Sequence, residues 1–179
     1  MAALAKILKK DFFGRKTLPV CKELIGKFLV RRYKEKESAW MITEIEAYDG
    51  PHDKACHAFK GKTDRTKTMF GDAGVFYVYL VYGLYHMLNI VTDKKDYPSA
   101  ILIRGVEGIT GPGRVTKHLK IDKKLNGKKA IPANGLWIED RGIKISKKYI
   151  KRTPRIGVNY AKEWAEKPYR FILIDKKNQ

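Results

Sequence analysis

The chain has 179 residues, of which 44% are hydrophobic, and its 38 Lys and Arg outnumber 19 Asp and Glu for a formal net charge of +19. This excludes a disordered basic tail and describes one globular domain with a sizeable core and a polyanionic partner, DNA or RNA first. Cys21 and Cys56, with no C-x-x-C pair, exclude a disulfide framework or zinc ribbon and fit a reducing compartment, and no apolar run reaches the length of a membrane span.

The opening MAALAKILKK is too short and too broken by lysine for a secretory signal and reads as the start of an amphipathic helix. Val20, Leu24 and Ile25 share a face after Pro19, and Gly26 follows, which predicts a short helix over 19–25. Residues 27–33 alternate as a strand, 34–38 form a polar turn, and 39–48 return antiparallel. Alternation in that second strand puts Met41, Thr43, Ile45 and Ala47 on one side and Ile42, Glu44, Glu46 and Tyr48 on the other. Two carboxylates and a tyrosine on one face, stopped by Asp49-Gly50-Pro51, are well placed for general-base chemistry. The bland alternative is a solvated strand face.

The loop over 49–68 carries His52, Asp53, His57, Arg65 and Lys67. His52, Cys56 and His57 have no second Cys/His pair at a metal-binding spacing, so His57 reads better as a hydrogen-bonding or stacking group in a pocket than as a ligand. Residues 75–81 and 85–91 are strand-forming, and Gly83 marks the turn of a hairpin with Tyr82 at its tip. Some of these tyrosines suit a core stripe, but one forced onto a turn does not, and in a basic protein it is a candidate wedge between bases. A three-residue tip, Tyr82-Gly83-Leu84, puts Asn89 on the face shared by Tyr77 and Tyr79. The buried strand over 99–106 carries Arg104, a charge that needs a partner, and Glu46 or Glu44 is the natural candidate.

Gly111-Pro112-Gly113 leads into a helix over 114–120, a start suited to phosphate and reinforced by Arg114, Lys117 and Lys123. A hairpin is predicted over 136–145 around Asp140-Arg141-Gly142, then a short helix near 161–166 and a strand over 169–174.

In order along the chain, Glu44-Ile45-Glu46-Ala47-Tyr48, Ala55-Cys56-His57, Met69-Phe70, the Tyr77 to Asn89 hairpin, Leu102-Ile103-Arg104, Gly111-Pro112-Gly113 and Pro154-Arg155-Ile156-Gly157 resemble the alkyladenine (3-methyladenine, or N-methylpurine) DNA glycosylases. The family usually has Thr where this chain has Ile45, a position that faces away from Glu46. The resemblance implies an α+β fold, a single mixed domain over 1–179 around a curved, largely antiparallel sheet with a protruding, DNA-intercalating hairpin. It implies a base-excision repair enzyme that extrudes a damaged purine nucleotide from duplex DNA and hydrolyses the bond from base to sugar.

On that pattern Glu46 activates a water, and Arg104 and the Ile156 carbonyl help hold it. Tyr48, His57 and Tyr79 sandwich the base, Ala55 lines its pocket, and Asn89 excludes the guanine 2-amino group. Tyr82 fills the gap in the duplex, and Arg65, Met69, Gly113, Arg114 and Lys123 contact DNA. No lysine takes the pocket's base position, so the resemblance implies a monofunctional hydrolase with no metal or organic cofactor. It would act as a monomer on double-stranded DNA containing damaged purines (3-methyladenine, 7-methylguanine, hypoxanthine or ethenoadenine), with no membrane partner. The compartment would be cytoplasmic and nucleoid-associated in a bacterium, nuclear in a eukaryote. A non-catalytic binder of structured nucleic acid and a metal-dependent nuclease using Glu44, Glu46 and His57 are the rival readings.

Overall fold

The computed structural model describes residues 5–174. In chain order the strands are β1 (Lys6–Ile7), β2 (Phe28–Tyr33), β3 (Lys36–Asp49), β4 (Phe76–Val81), β5 (Tyr85–Val91), β6 (Ser99–Val106), β7 (Ile109–Thr110), β8 (Leu136–Asp140), β9 (Ile150–Thr153) and β10 (Arg170–Leu173). The α-helices are α1 (Lys10–Phe13), α2 (Thr17–Leu24) and α3 (Pro112–His118), and short 3-10 turns fill the loops. The fold is α+β, with one large antiparallel sheet in the order β1-β8-β2-β3-β6-β5-β4. β10 joins it against β3 and carries β9, while β7 adds to β6.

β3 is the axis of this arrangement. Its first half pairs with β2, and its second half lies between β6 and β10. Ile45 and Ala47 turn into a core with Phe13, Val20, Leu24, Ile101, Ile103 and Phe171. Burying each large side chain of that set contributes about 1.5–3 kcal/mol, so the core fixes which face of β3 the carboxylates take. Strict alternation does not hold throughout. The register with β6 shifts at the Ile42/Glu44 and Glu44/Ile45 steps, and Ile42 joins Ile45 in the core instead of sharing the Glu46 face.

α2 begins two residues before the expected start and ends at Leu24, burying Thr17, Val20, Cys21 and Leu24. Gly26 takes φ +86°, and a Cβ there would lie 2.5 Å from the Ile145 side chain, so glycine serves both the helix end and the close packing.

Two further expectations fail. The opening segment is helical only from Lys10, where α1 starts: Lys6–Ile7 pairs with β8, and residues 1–4 lie outside the described residues. The hairpin over 136–145 forms only its first strand. Both edges of β8 are already taken by β1 and β2, and Asp140 accepts the Gly142 N–H at 2.8 Å, so the chain turns out of the sheet. β9 was not anticipated, because Lys151 and Arg152 interrupt any apolar pattern on this edge strand. Among the described residues no helix is long and apolar enough to cross a membrane.

Candidate active site

Glu46 pairs across β3 with Arg170 of β10 on one side and Leu102 of β6 on the other, and its side chain is fully buried. The Ile156 N–H donates to Oε1 at 2.8 Å and the Tyr48 hydroxyl donates to Oε2 at 2.9 Å. Burial pushes the Glu46 pKa above its ordinary value, and the Arg104 charge, the Ile156 N–H and the Tyr48 hydroxyl only partly offset this. An ionised carboxylate offers about four lone-pair sites, so these two bonds leave acceptor capacity for a water.

Arg104 was expected to pair with Glu46 or Glu44, and it meets both. Its Nε donates to Glu44 Oε1 at 3.0 Å, and its Nη1 lies 3.5 Å from Glu46 Oε2. Arg170 Nε also donates to Glu44 Oε1, at 2.7 Å. Glu44 therefore holds two arginines and turns the fork of Arg104 toward Glu46.

In front of Glu46 lies a cavity of about 200 Å³. Tyr48, Ala55, His57, Met69, Tyr79, Asn89, Arg104 and Ile156 all line it, and Glu46 sits behind Tyr48 and Ile156. His57 meets the Tyr79 ring edge-on at 4.6 Å between centroids, and its Nδ1 is 3.2 Å from the Tyr77 hydroxyl. Burial and the nearby Arg65 charge lower the His57 pKa to about 4, so the ring is neutral at pH 7. A neutral imidazole does not repel a cationic base, and Tyr48 and Tyr79 offer π-faces that attract one.

The β4–β5 ladder ends at Val81 and Tyr85, so the tip has three residues and Asn89 lies directly opposite Tyr77. Both bonds made by the Asn89 amide nitrogen go to main-chain carbonyls, of Tyr77 at 3.2 Å and Met87 at 3.3 Å, which locks its orientation in the cavity. At the tip Tyr82 is 90% exposed with φ 52°, followed by Gly83 at φ 68°. A bulky side chain in the left-handed region is an outlier that costs about 1–2 kcal/mol. No core contact offsets that cost.

Arg65, Tyr82, Gly113, Arg114 and Lys123 stand outside the cavity. Arg65 lies over the outer part of the aromatic wall, 5.2 Å from the Tyr79 ring centre. Arg114 and Lys123 are exposed, on α3 and on the 3-10 turn Lys123–Leu125. Gly113 packs under Tyr85, where a Cβ would come within 2.9 Å of the ring, so a larger residue would push on the hairpin next to its tip.

Sequence reasoning gave no role to Asp53 or Tyr160. Tyr160 lines the cavity. Asp53 is fully buried in a bidentate ion pair with Arg155, and only the Pro-Arg-Ile-Gly motif drew attention to that arginine. A larger cavity, about 1070 Å³, lies among β1, α1, α2 and the segment after β8. Its lining mixes aliphatic side chains with lysines, and two of its three acids, Asp140 and Glu23, are already paired with Lys27 and Arg15. Among the described residues no group of three His, Cys, Asp or Glu side chains is placed to hold a metal ion.

The site is thus a buried strand carboxylate behind an aromatic cavity, beside an exposed hairpin tip on a strongly basic chain. The methylpurine-DNA glycosylase family model matches residues 11–110 and 107–177, and the chain belongs to that family. It is 45% identical over 175 residues to a protein of Legionella pneumophila (strain Corby), covering 94% of each chain. It is 43% identical over 185 residues to one of Methanocella arvoryzae, covering 92% of this chain and 91% of the relative. With a Clostridium perfringens protein the figures are 37% over 199 residues, 95% and 97%. All three carry the name "Putative 3-methyladenine DNA glycosylase".

Proposed function

We propose that this DNA glycosylase extrudes an alkylated or deaminated purine nucleotide from duplex DNA, seats the base between Tyr48 and the His57–Tyr79 wall, and hydrolyses the N-glycosidic bond. The observation that carries the reading is Glu46, a fully buried carboxylate with a raised pKa immediately behind an aromatic cavity. Glu46 takes a proton from a water as that water attacks the anomeric carbon. The base leaves with the bonding pair, and an abasic sugar remains with the strand uncut. Arg104, whose guanidinium reaches toward Glu46 while Glu44 holds its Nε, keeps the carboxylate ionised and steadies the water. Substrates of this chemistry are 3-methyladenine, 7-methylguanine, hypoxanthine and ethenoadenine, read by a monomer wherever the cell keeps its DNA. Incubation with duplexes each carrying one of these bases, followed by hot alkali, tests it. Strand breaks at the lesion alone support the reading, and intact strands with every lesion overturn it.

Asn89→Ser should relax discrimination against guanine. On this reading the amide, which lines the cavity, crowds a purine 2-amino group, so that 7-methylguanine is taken because its positive charge makes it a good leaving group, and a serine leaves that space open. The check is the ratio of hypoxanthine to mismatched-guanine excision. A ratio that does not move removes Asn89 as the gate.

Binding should also weaken steeply with salt, since the net charge is +19 and Arg65, Arg114 and Lys123 are all exposed. Neutralising Lys123 should lower the slope of log K against log salt by roughly 0.9, equally for damaged and undamaged duplex. A salt-independent affinity would remove the phosphate backbone as its target.

A further inference from the structure

Asp53 and Arg155 are buried, charged and unused in the chemistry described above, yet their partners border the side of the cavity that carries Tyr48, Ala55 and Ile156. Arg155 spans both Asp53 oxygens, with Nη2 to Oδ1 at 2.9 Å, and also donates to Ala47 O at 2.7 Å and Trp164 O at 3.1 Å. Asp53 in turn accepts the Asp49 N–H and the Ala55 N–H, each at 3.0 Å. The pair therefore ties together the end of β3, the loop that carries His57, and the segment after β9. Each tie falls next to a working group. Ala47 lies between Glu46 and Tyr48 in sequence, Ala55 is two residues before His57, and Arg155 directly precedes Ile156, whose N–H holds Glu46 Oε1. The Arg155 guanidinium also stacks 4.9 Å from the Tyr48 ring centre.

We infer that Asp53 and Arg155 are a positioning pair, which sets Tyr48 and the Ile156 N–H against Glu46 and so fixes the geometry of the base and of the cavity wall. Neither side chain lines the cavity, so the pair acts through these neighbours and not on the substrate. The inference rests on the proposed role of Glu46. A fork of donors is needed: one lysine ammonium cannot span both Asp53 oxygens and two carbonyls on different segments.

Arg155→Lys keeps the charge and loses the fork. In single-turnover excision from a hypoxanthine duplex it should be slower by at least about tenfold, because small misplacements of reacting groups are costly, while affinity for the same duplex stays within about twofold of wild type. Introduced into Glu46→Gln, it should cost little more, since the group it positions is already gone. An unchanged rate overturns the inference. So does the same fractional loss in both backgrounds, which marks a general structural defect. If Arg155→Lys does not fold, Asp53→Asn with Arg155→Gln removes both charges together and leaves no unpaired ion, and the same pattern is expected of it. Wild-type activity with an unimpaired variant overturns the positioning role alone. Wild-type protein that releases no base from any lesion overturns the glycosylase reading and this inference with it.

Discussion

Glu46→Gln is expected to lower single-turnover excision of hypoxanthine by at least about a hundredfold, within the 10²–10⁴ range for loss of a general base, with duplex affinity near that of wild type. Glutamine keeps the size and can still accept the Ile156 N–H, so the cavity survives and only the proton acceptor is lost. The same substitution should raise the melting temperature at neutral pH. Because burial raises the folded-state pKa, folding favours the protonated acid. Stability is thus lost as pH climbs from the unfolded value, about 4.3 for glutamate, through the raised folded value. Glutamine has no ionised form to bury, so its advantage should vanish at low pH. Excision by wild type should fall as pH drops through that raised pKa, higher than for an ordinary carboxylate. Rates and melting curves for the two proteins across pH measure all of this. Excision by Glu46→Gln at the wild-type rate would make Glu44 the candidate base. Glu44→Gln should act chiefly on stability, because it weakens the acceptor shared by Arg104 and Arg170.

Tyr82→Ala should impair extrusion far more than folding. The ring is 90% exposed and its backbone is left-handed, so truncation removes almost no packing and thermal stability should hardly change. In the duplex the same ring would fill the vacated space, and stacking of this kind is worth roughly 1–3 kcal/mol by alanine substitution, on the order of 5- to 150-fold in the flipped population. Fluorescence of 2-aminopurine beside the lesion reports that population. A signal equal to wild type would reduce Tyr82 to a surface side chain. Tyr82→Gly should behave like Ala in the flip and melt somewhat higher, since glycine adopts φ 52° without strain.

Much of this site was legible because its residues sit on strands, where a two-residue period and hairpin parity convert sequence spacing into position. That logic put Glu46 beside Tyr48, and Asn89 on the face of Tyr77 and Tyr79. It failed at Ile42, where register shifts reset the alternation, and after Gly142, where β8 had no free edge left. It was silent on Asp53 and Arg155, because their pairing joins two loops 102 positions apart in sequence and no local pattern encodes it. The strain at Tyr82 was only half visible: a turn residue could be named, but not its φ.

The place of Glu46 in β3 also bears on what moves during turnover. Hydrogen-bonded strands flank it on both sides, β10 and β6, over a fully buried core. The amides of this stretch should be among the slowest in the protein to exchange with deuterium. A carboxylate rooted there does not travel to its substrate. On the proposed mechanism the moving parts are expected to be the nucleotide and the segments around the cavity, with delivery of the base to a stationary acid as the slow event and the DNA contacts supplying the energy for it.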